Sequence, residues 1–300
     1  MLKKENGNSL VILSAAMVVL FSAAALVVDL GLGFFEKTRL QNAADAAALA
    51  GAQDLSVDTD KAVQTARWYI SKNGYDPDSA DIQISEDGSS IRVTLEKKIN
   101  YTFARIIGFT EQVATVHSEA VSASVTGMTG VRPLVIEDIP FVFGNEYVLK
   151  EGAGDGYSGN YGAIALGGTG ARTYEENLRY GYGGMLYVGD VVSTEPGNMS
   201  NVTRRAVNDL IAACNHSPSC TYLNFNRDCP RVIFIPVVDS LQVNGRDEAT
   251  VVGFASFFLE GTRNSGGHTE VIGRFVRTVA SGEIEVGQRD YGIRGVKLVR

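Results

Sequence analysis

Nineteen consecutive residues without a charge, Leu10 to Val28, constrain this chain more than any other feature. As an α-helix rising about 1.5 Å per residue, they cover about 28 Å, close to the ~30 Å hydrocarbon core of a bilayer. Ser14 and Ser22 are the only polar members, and a membrane helix tolerates both. A cleaved signal peptide has an apolar stretch of about 7–15 residues and then a small-residue site. Ala23-Ala24-Ala25 offer such a site, but the run is long and apolar residues continue beyond it. A buried soluble helix would show a polar face, and none is present here. The segment predicts a retained single-pass anchor in the lipid bilayer. Lys3 and Lys4 precede it and favour a cytoplasmic N-terminus with an extracytoplasmic body, although Lys37 and Arg39 on the other flank pull the opposite way.

The charge balance narrows the partners. With 27 basic against 34 acidic residues the net charge is −7, and the part beyond residue 35 carries all of it. No basic surplus or stripe marks a nucleic-acid surface, and an acidic body does not seek anionic lipid. Three hundred residues leave room for about two domains after the anchor.

From Glu36 to Leu55 the chain reads EKTRLQNAADAAALAGAQDL. Alanine is the best helix former and nothing breaks the helix before Gly51, so the anchor is expected to continue outward as one rod. The small side chains of Ala43, Ala44, Ala46, Ala47, Ala48 and Ala50 allow close helix approach. They suit either a generic helix packed on its own domain, which spacing alone favours, or an assembly face for other subunits.

Asp29-Leu30-Gly31 at the end of the apolar run, followed by Leu40-Gln41-Asn42-Ala43-Ala44-Asp45-Ala46-Ala47-Ala48-Leu49-Ala50-Gly51-Ala52, resembles the TadE/TadG-like family of tight-adherence (Flp) pilus systems of bacteria. The pattern is long and specific and covers residues 1–55; the stretch to about Val125 is also similar to family members. The resemblance implies a pilin-like role in assembling or anchoring a pilus, with other pilus subunits and further copies of itself as partners. It makes Leu10, Val28, Asp29, Gly31, Leu40, Gln41, Ala43, Ala44, Asp45, Ala47, Ala50 and Gly51 the candidate membrane helix and assembly face. Two departures matter. Some larger family members carry a von Willebrand A domain with an Asp-x-Ser-x-Ser metal site, whereas Asp239-Ser240-Leu241-Gln242-Val243 lacks serines at those offsets, so no such metal site is expected. Prepilins are cut after a glycine and carry Glu five residues on, whereas the fifth residue after Gly7 is Ile12.

Further along, Asp58 or Thr59 caps a predicted helix to about Asn73, with Gly74 as its stop. Ile82 and Ile84, then Ile91, Val93 and Leu95, alternate with polar residues around an Asp87-Gly88 turn. A short helix at Phe103–Ile107 and a long strand at Gln112–Val125 complete an α-β-β-α-β layer over residues 56–126. Thr126-Gly127-Met128-Thr129-Gly130 reads as a linker. Residues 131–300 are β-rich, with strands at Leu134–Ile136, Tyr147–Leu149, Tyr161–Leu166, Val232–Val238, Val251–Leu259, Val271–Val279 and Ile293–Val299, and one helix at Val202–Cys214. Short strands and glycine turns suggest a sandwich or barrel. Val251–Leu259, apolar on both faces, is expected at the centre of its sheet; Pro236 puts its strand at an edge or a bulge. The fold class is thus α+β with a long N-terminal transmembrane helix.

Motifs for chemistry are sparse. Gly152–Gly156 and Gly167-Gly168-Thr169-Gly170 have the look of phosphate loops, but no amphipathic helix is expected after either and the P-loop lysine is missing. Asp76, Asp78 and Asp81 lack the glycine and glutamate of a calcium loop. The three histidines, His117, His216 and His268, form no HExxH or similar arrangement, and the single Trp68 argues against a sugar-stacking groove. Cys214, Cys220 and Cys229 lie close together in sequence. His216 completes a Cys₃His set by number, but the spacings are not the usual two to four, so a Cys220–Cys229 disulfide with one free thiol ranks ahead of zinc. The expectation is a protein without cofactor or metal that acts by binding, not catalysis; a membrane-tethered extracytoplasmic enzyme or carbohydrate-binding protein is the alternative.

Overall fold

The computed structural model describes residues 8–140, 142–149, 161–195, 199–241, 248–265 and 268–299. Lys3, Lys4, Gly7, the glycines of 152–156, Asn198, Gln242 and Val243 fall outside them. The chain is α+β and divides into two compact units, residues up to Val121 with those from Lys297 onward, and Ser122–Val296.

In the first unit α1 runs unbroken from Asn8 to Ala52, 45 residues without a proline. Every residue from Leu10 to Val28 is exposed except the half-buried Ala25, an apolar surface with no polar cover. From Asp29 onward a stripe turns inward. Asp29, Gly33, Leu40, Ala43, Ala44, Ala47, Ala48 and Gly51 are buried, and their three-to-four-residue spacing keeps them on one face. Helix α2 (Thr59–Lys72) starts where Asp58 accepts hydrogen bonds from the Asp60 and Lys61 N–H groups and buries Ala62, Ala66 and Ile70. Strands β1 (Asp81–Ile84), β2 (Ser90–Asn100) and β3 (Glu111–Met128) are antiparallel neighbours in that order. Ile91, Val93 and Leu95 of β2 point into the core, as alternation requires. The β2–β3 connection contains a 3₁₀ turn, Ala104–Ile107, which Gly108 ends in a left-handed conformation.

The expected linker is not a break. Thr126–Met128 are the last residues of β3, and the division between units falls inside that strand, between Val121 and Ser122. Glycine and threonine there suggested a connector, but ladder pairing of Gly127 with Tyr187 and Glu283 keeps the segment extended.

The second unit contains β4 (Leu134–Glu137), β5 (Glu146–Leu149), β6 (Tyr161–Ala165), α3 (Ala171–Tyr180), β7 (Leu186–Tyr187), β8 (Val191–Thr194), α4 (Ser200–Ala212), β9 (Val232–Val238), β10 (Glu248–Ser265), β11 (His268–Val276), β12 (Thr278–Val279), β13 (Glu283–Glu285) and the first part of β14 (Ile293–Val299), whose residues from Lys297 onward belong to the first. The pairings β10–β8, β8–β6, β6–β4, β4–β9 and β9–β10 close on themselves, a small barrel-like ring that β11 and β5 extend. β10 is central, as its two apolar faces predict. β9 is paired on both sides, and the register of its partner shifts between Val251 and Gly253, opposite Val237–Val238 beside Pro236. Period two splits each strand between two cores. Leu134, Ile136, Ile233, Ile235, Phe257 and Leu259 pack under α3 and α4, while Val135, Val238, Val251 and Phe254 face the other core.

Helix α3 corrects the sequence expectation that no helix follows Gly167–Gly170. Only Tyr174 and Leu178 of its ten residues are buried, an i,i+4 pair that sets a narrow inward face on an otherwise polar helix. The glycines therefore do stand between a strand and a helix N-terminus. The Gly170 N–H, at the N-cap of α3, donates to Glu195 Oε1 at 3.3 Å.

Candidate functional site: the anchor helix and its latch

Asp29 follows the last residue of the apolar run, a position where a carboxylate must find partners or leave the helix unsupported. It is 2% exposed and accepts hydrogen bonds from the backbone N–H groups of Thr102 (2.9 Å), Phe103 (2.9 Å) and Ala104 (2.6 Å). These are the free donors at the start of the 3₁₀ turn, which a carboxylate is suited to satisfy. Burial alone would raise the Asp29 pKa, but the three donors outweigh it and hold the carboxyl below its ordinary value.

Three more contacts fasten α1 to the same hairpin. Lys97 Nζ reaches Glu36 at 2.5 Å and lowers the pKa of that carboxyl. A Cβ on Gly33 would fall 2.5 Å from the Gln112 side chain. Gln41 donates to Asp45 Oδ1 (2.8 Å) and to the His117 carbonyl (3.0 Å). The hairpin tip carries exposed Phe103, Ile106 and Phe109. With Val18, Phe21, Ala25 and Val28 of α1, the first two of these line an apolar groove of about 480 Å³. A second groove, of about 840 Å³ and mixed lining, includes Gln41, Asp45, Arg92, His117, Glu119 and Leu298, and in it Arg92 and Glu119 form an ion pair at 2.6 Å.

The alanine-rich motif has a different place from an open assembly face. Leu40, Ala43, Ala44, Ala47 and Ala48 have no exposed surface, and Ala50 is nearly as buried. α1 packs here on α2 and β2. Gly51 is demanded by that approach, since a Cβ would lie 2.8 Å from Ile91 Cδ1 and 3.0 Å from the Ala62 carbonyl. Asp54 finishes the join by accepting from Lys61 (2.9 Å) and Thr65 (2.7 Å). Gly31 has open space around it, and Leu10 and Val28 are exposed. On this part of α1 the outward residues are Lys37, Thr38, Arg39 and Asn42.

The cysteines also differ from expectation. Cys214, Cys220 and Cys229 are all free thiols, and the expected Cys220–Cys229 bridge is not formed. Cys229 Sγ lies 3.4 Å from Cys214 Sγ, which lies 3.7 Å from His216 Nδ1. The hydrogen bond with His216, helped by the Cys220 and His216 backbone N–H groups, brings the Cys214 thiol down to about 6. Burial pushes that of Cys229 up to about 12. Asp239 Oδ1 accepts from the Ser240 (2.8 Å) and Thr250 (2.9 Å) backbone N–H groups.

Taken from the residues upward, the first unit is an α+β body built around the C-terminal half of a helix whose N-terminal half fits a membrane anchor. Residues 7–54 match the Tad family model, described as Flp pilus-assembly TadE/G-like, in agreement with the family that the sequence motif resembles. No curated protein and no solved structure matches the chain. The matched segment is α1 with its turn to α2, so the motif's small residues and its aspartate are those that join the anchor to the body.

Proposed function

We propose that this chain is a single-pass membrane protein of a Tad/Flp-type pilus system that assists assembly or anchoring of the pilus by binding other subunits. The observation that carries the reading is the division of α1 at Asp29. On one side lies an apolar stretch exposed except at Ala25, and on the other a stripe locked into a folded body, within a segment of pilus-assembly type. An exposed apolar surface of that length is stable only in lipid or against other apolar helices. The orientation consistent with Lys3 and Lys4 puts the body outside the cytoplasm. No catalytic step is assigned to it.

Deleting the gene in its host and counting pili by electron microscopy tests the role. Loss of pili, restored by the intact gene, is expected; normal piliation overturns it. The anchor has its own check. Membrane-extracted protein should begin ahead of Leu10 on N-terminal sequencing, whereas a mature chain beginning near Val27 would show the segment to be a signal peptide.

A further inference from the structure

Between the end of α4 at Ala212 and the start of β9 at Val232 the chain has no helix or named strand, only an isolated bridge between Thr221 and Asn224. A connection of that length in a packed unit needs something to hold it. The segment carries all three cysteines of the protein and one of its three histidines. Their ligand atoms, three Sγ and one imidazole nitrogen, all lie within 4.8 Å of one another.

Those separations discriminate between two chemistries. A tetrahedral zinc with Zn–S of about 2.3 Å and Zn–N of about 2.0 Å holds its ligand atoms roughly 3.5–3.8 Å apart. The Cys214–Cys229 and Cys214–His216 distances, 3.4 and 3.7 Å, are close to those edges. A disulfide would draw one sulfur pair to about 2.05 Å and give the third thiol and the imidazole nothing to do.

The Asn226 N–H donates to Cys220 Sγ at 3.5 Å, a backbone donor of the kind that makes up the outer shell of metal-bound sulfur. Arg231 fixes the loop further. Its guanidinium lies over the Phe258 ring at 4.4 Å and donates to the carbonyls of Cys220 (3.0 Å) and Leu259 (2.9 Å). Val232, Phe258 and Val276 bury the inner side of the cluster.

We propose that Cys214, His216, Cys220 and Cys229 form a four-coordinate Cys₃His zinc site that staples the 213–231 segment to itself. Three sulfurs and one imidazole are a soft donor set that suits zinc, and four protein ligands leave no open position, so the site is structural. Binding releases the thiol protons to solvent and changes no oxidation state. The sequence spacing that ranked a disulfide first is outweighed by the convergence of the imidazole with all three sulfurs.

Full-length protein extracted in detergent from its own membranes, with no metal added, tests this. Elemental analysis should find about one zinc per chain, and intact mass should show no disulfide. Stripping the metal with a chelator should lower the melting temperature by roughly 10 °C, and Zn²⁺ alone should restore it. Cys220→Ser and His216→Ala should each reduce zinc occupancy severalfold. Because either variant can fail to fold, the strip-and-restore measurement on the unaltered protein stands independently. A disulfide among the three cysteines with no zinc, a melting temperature indifferent to Zn²⁺, or full occupancy in both variants would overturn the site.

Discussion

Replacing Asp29 with alanine should release the β2–β3 hairpin tip from the anchor helix, making the chain at Thr102–Phe109 roughly tenfold more open to protease in detergent extracts. Three N–H groups lose the one side chain they share as acceptor. Asp29→Asn keeps one oxygen acceptor but loses the charge, so it should fall between the two. The latch should also respond to acid with a definite sign. The folded carboxyl titrates below its ordinary 3.8, so its contribution is complete above that pH. It is lost as pH falls through the lower folded pKa. In the Asp29→Ala protein, tip protection should show no such acid step. Equal protease sensitivity of Asp29→Ala and the parent would remove Asp29 from this role.

Ala47→Leu should cost about 1–3 kcal/mol of stability, seen as a lower melting temperature and a smaller amount of folded protein in the membrane. Ala47 has no exposed surface, and three added carbons must push α1 away from the elements packed on it. Gly51→Leu should be at least as damaging, because its first added carbon already meets Ile91 and the Ala62 carbonyl. Asn42→Leu, on the exposed side of the same helix, is the control and should leave stability within about 0.5 kcal/mol. The pattern separates two uses of the motif. If Ala47→Leu removed pili while leaving abundance and melting temperature unchanged, the alanines would serve a partner and not the chain's own fold. If Asn42→Leu alone impaired piliation, the partner would lie against the outward face.

The sequence made some of this legible and hid the rest for identifiable reasons. The apolar run, the Asp58 cap, the alternation through Ile91, Val93 and Leu95 and the two-faced apolar strand around Phe254 are local signals, written in neighbouring residues. Asp29 was visible as a charge at the end of the run, but its partners lie more than seventy residues later in a turn whose donors are backbone. Helix α3 is short and mostly polar, and its amphipathic signal is only one apolar pair, Tyr174 and Leu178, at helical spacing. The Cys₃His convergence was visible as a count. Spacing along the chain could not tell that four ligand atoms meet in one place.

The continuity of α1 has a mechanical consequence. A helix of 45 residues measures about 67 Å, and no proline or loop divides the part suited to lipid from the part seated in the body. A pull on the inner end therefore meets no slack before it reaches the first unit. The load is met by the Asp29 hydrogen bonds, the Glu36–Lys97 ion pair and the close-fitting alanine stripe. All three are strained in shear, together, along one rod. In the proposed membrane-anchored state, a twist of α1 about its axis would be delivered to α2 and β2 as torque, with the helix acting as a stiff lever.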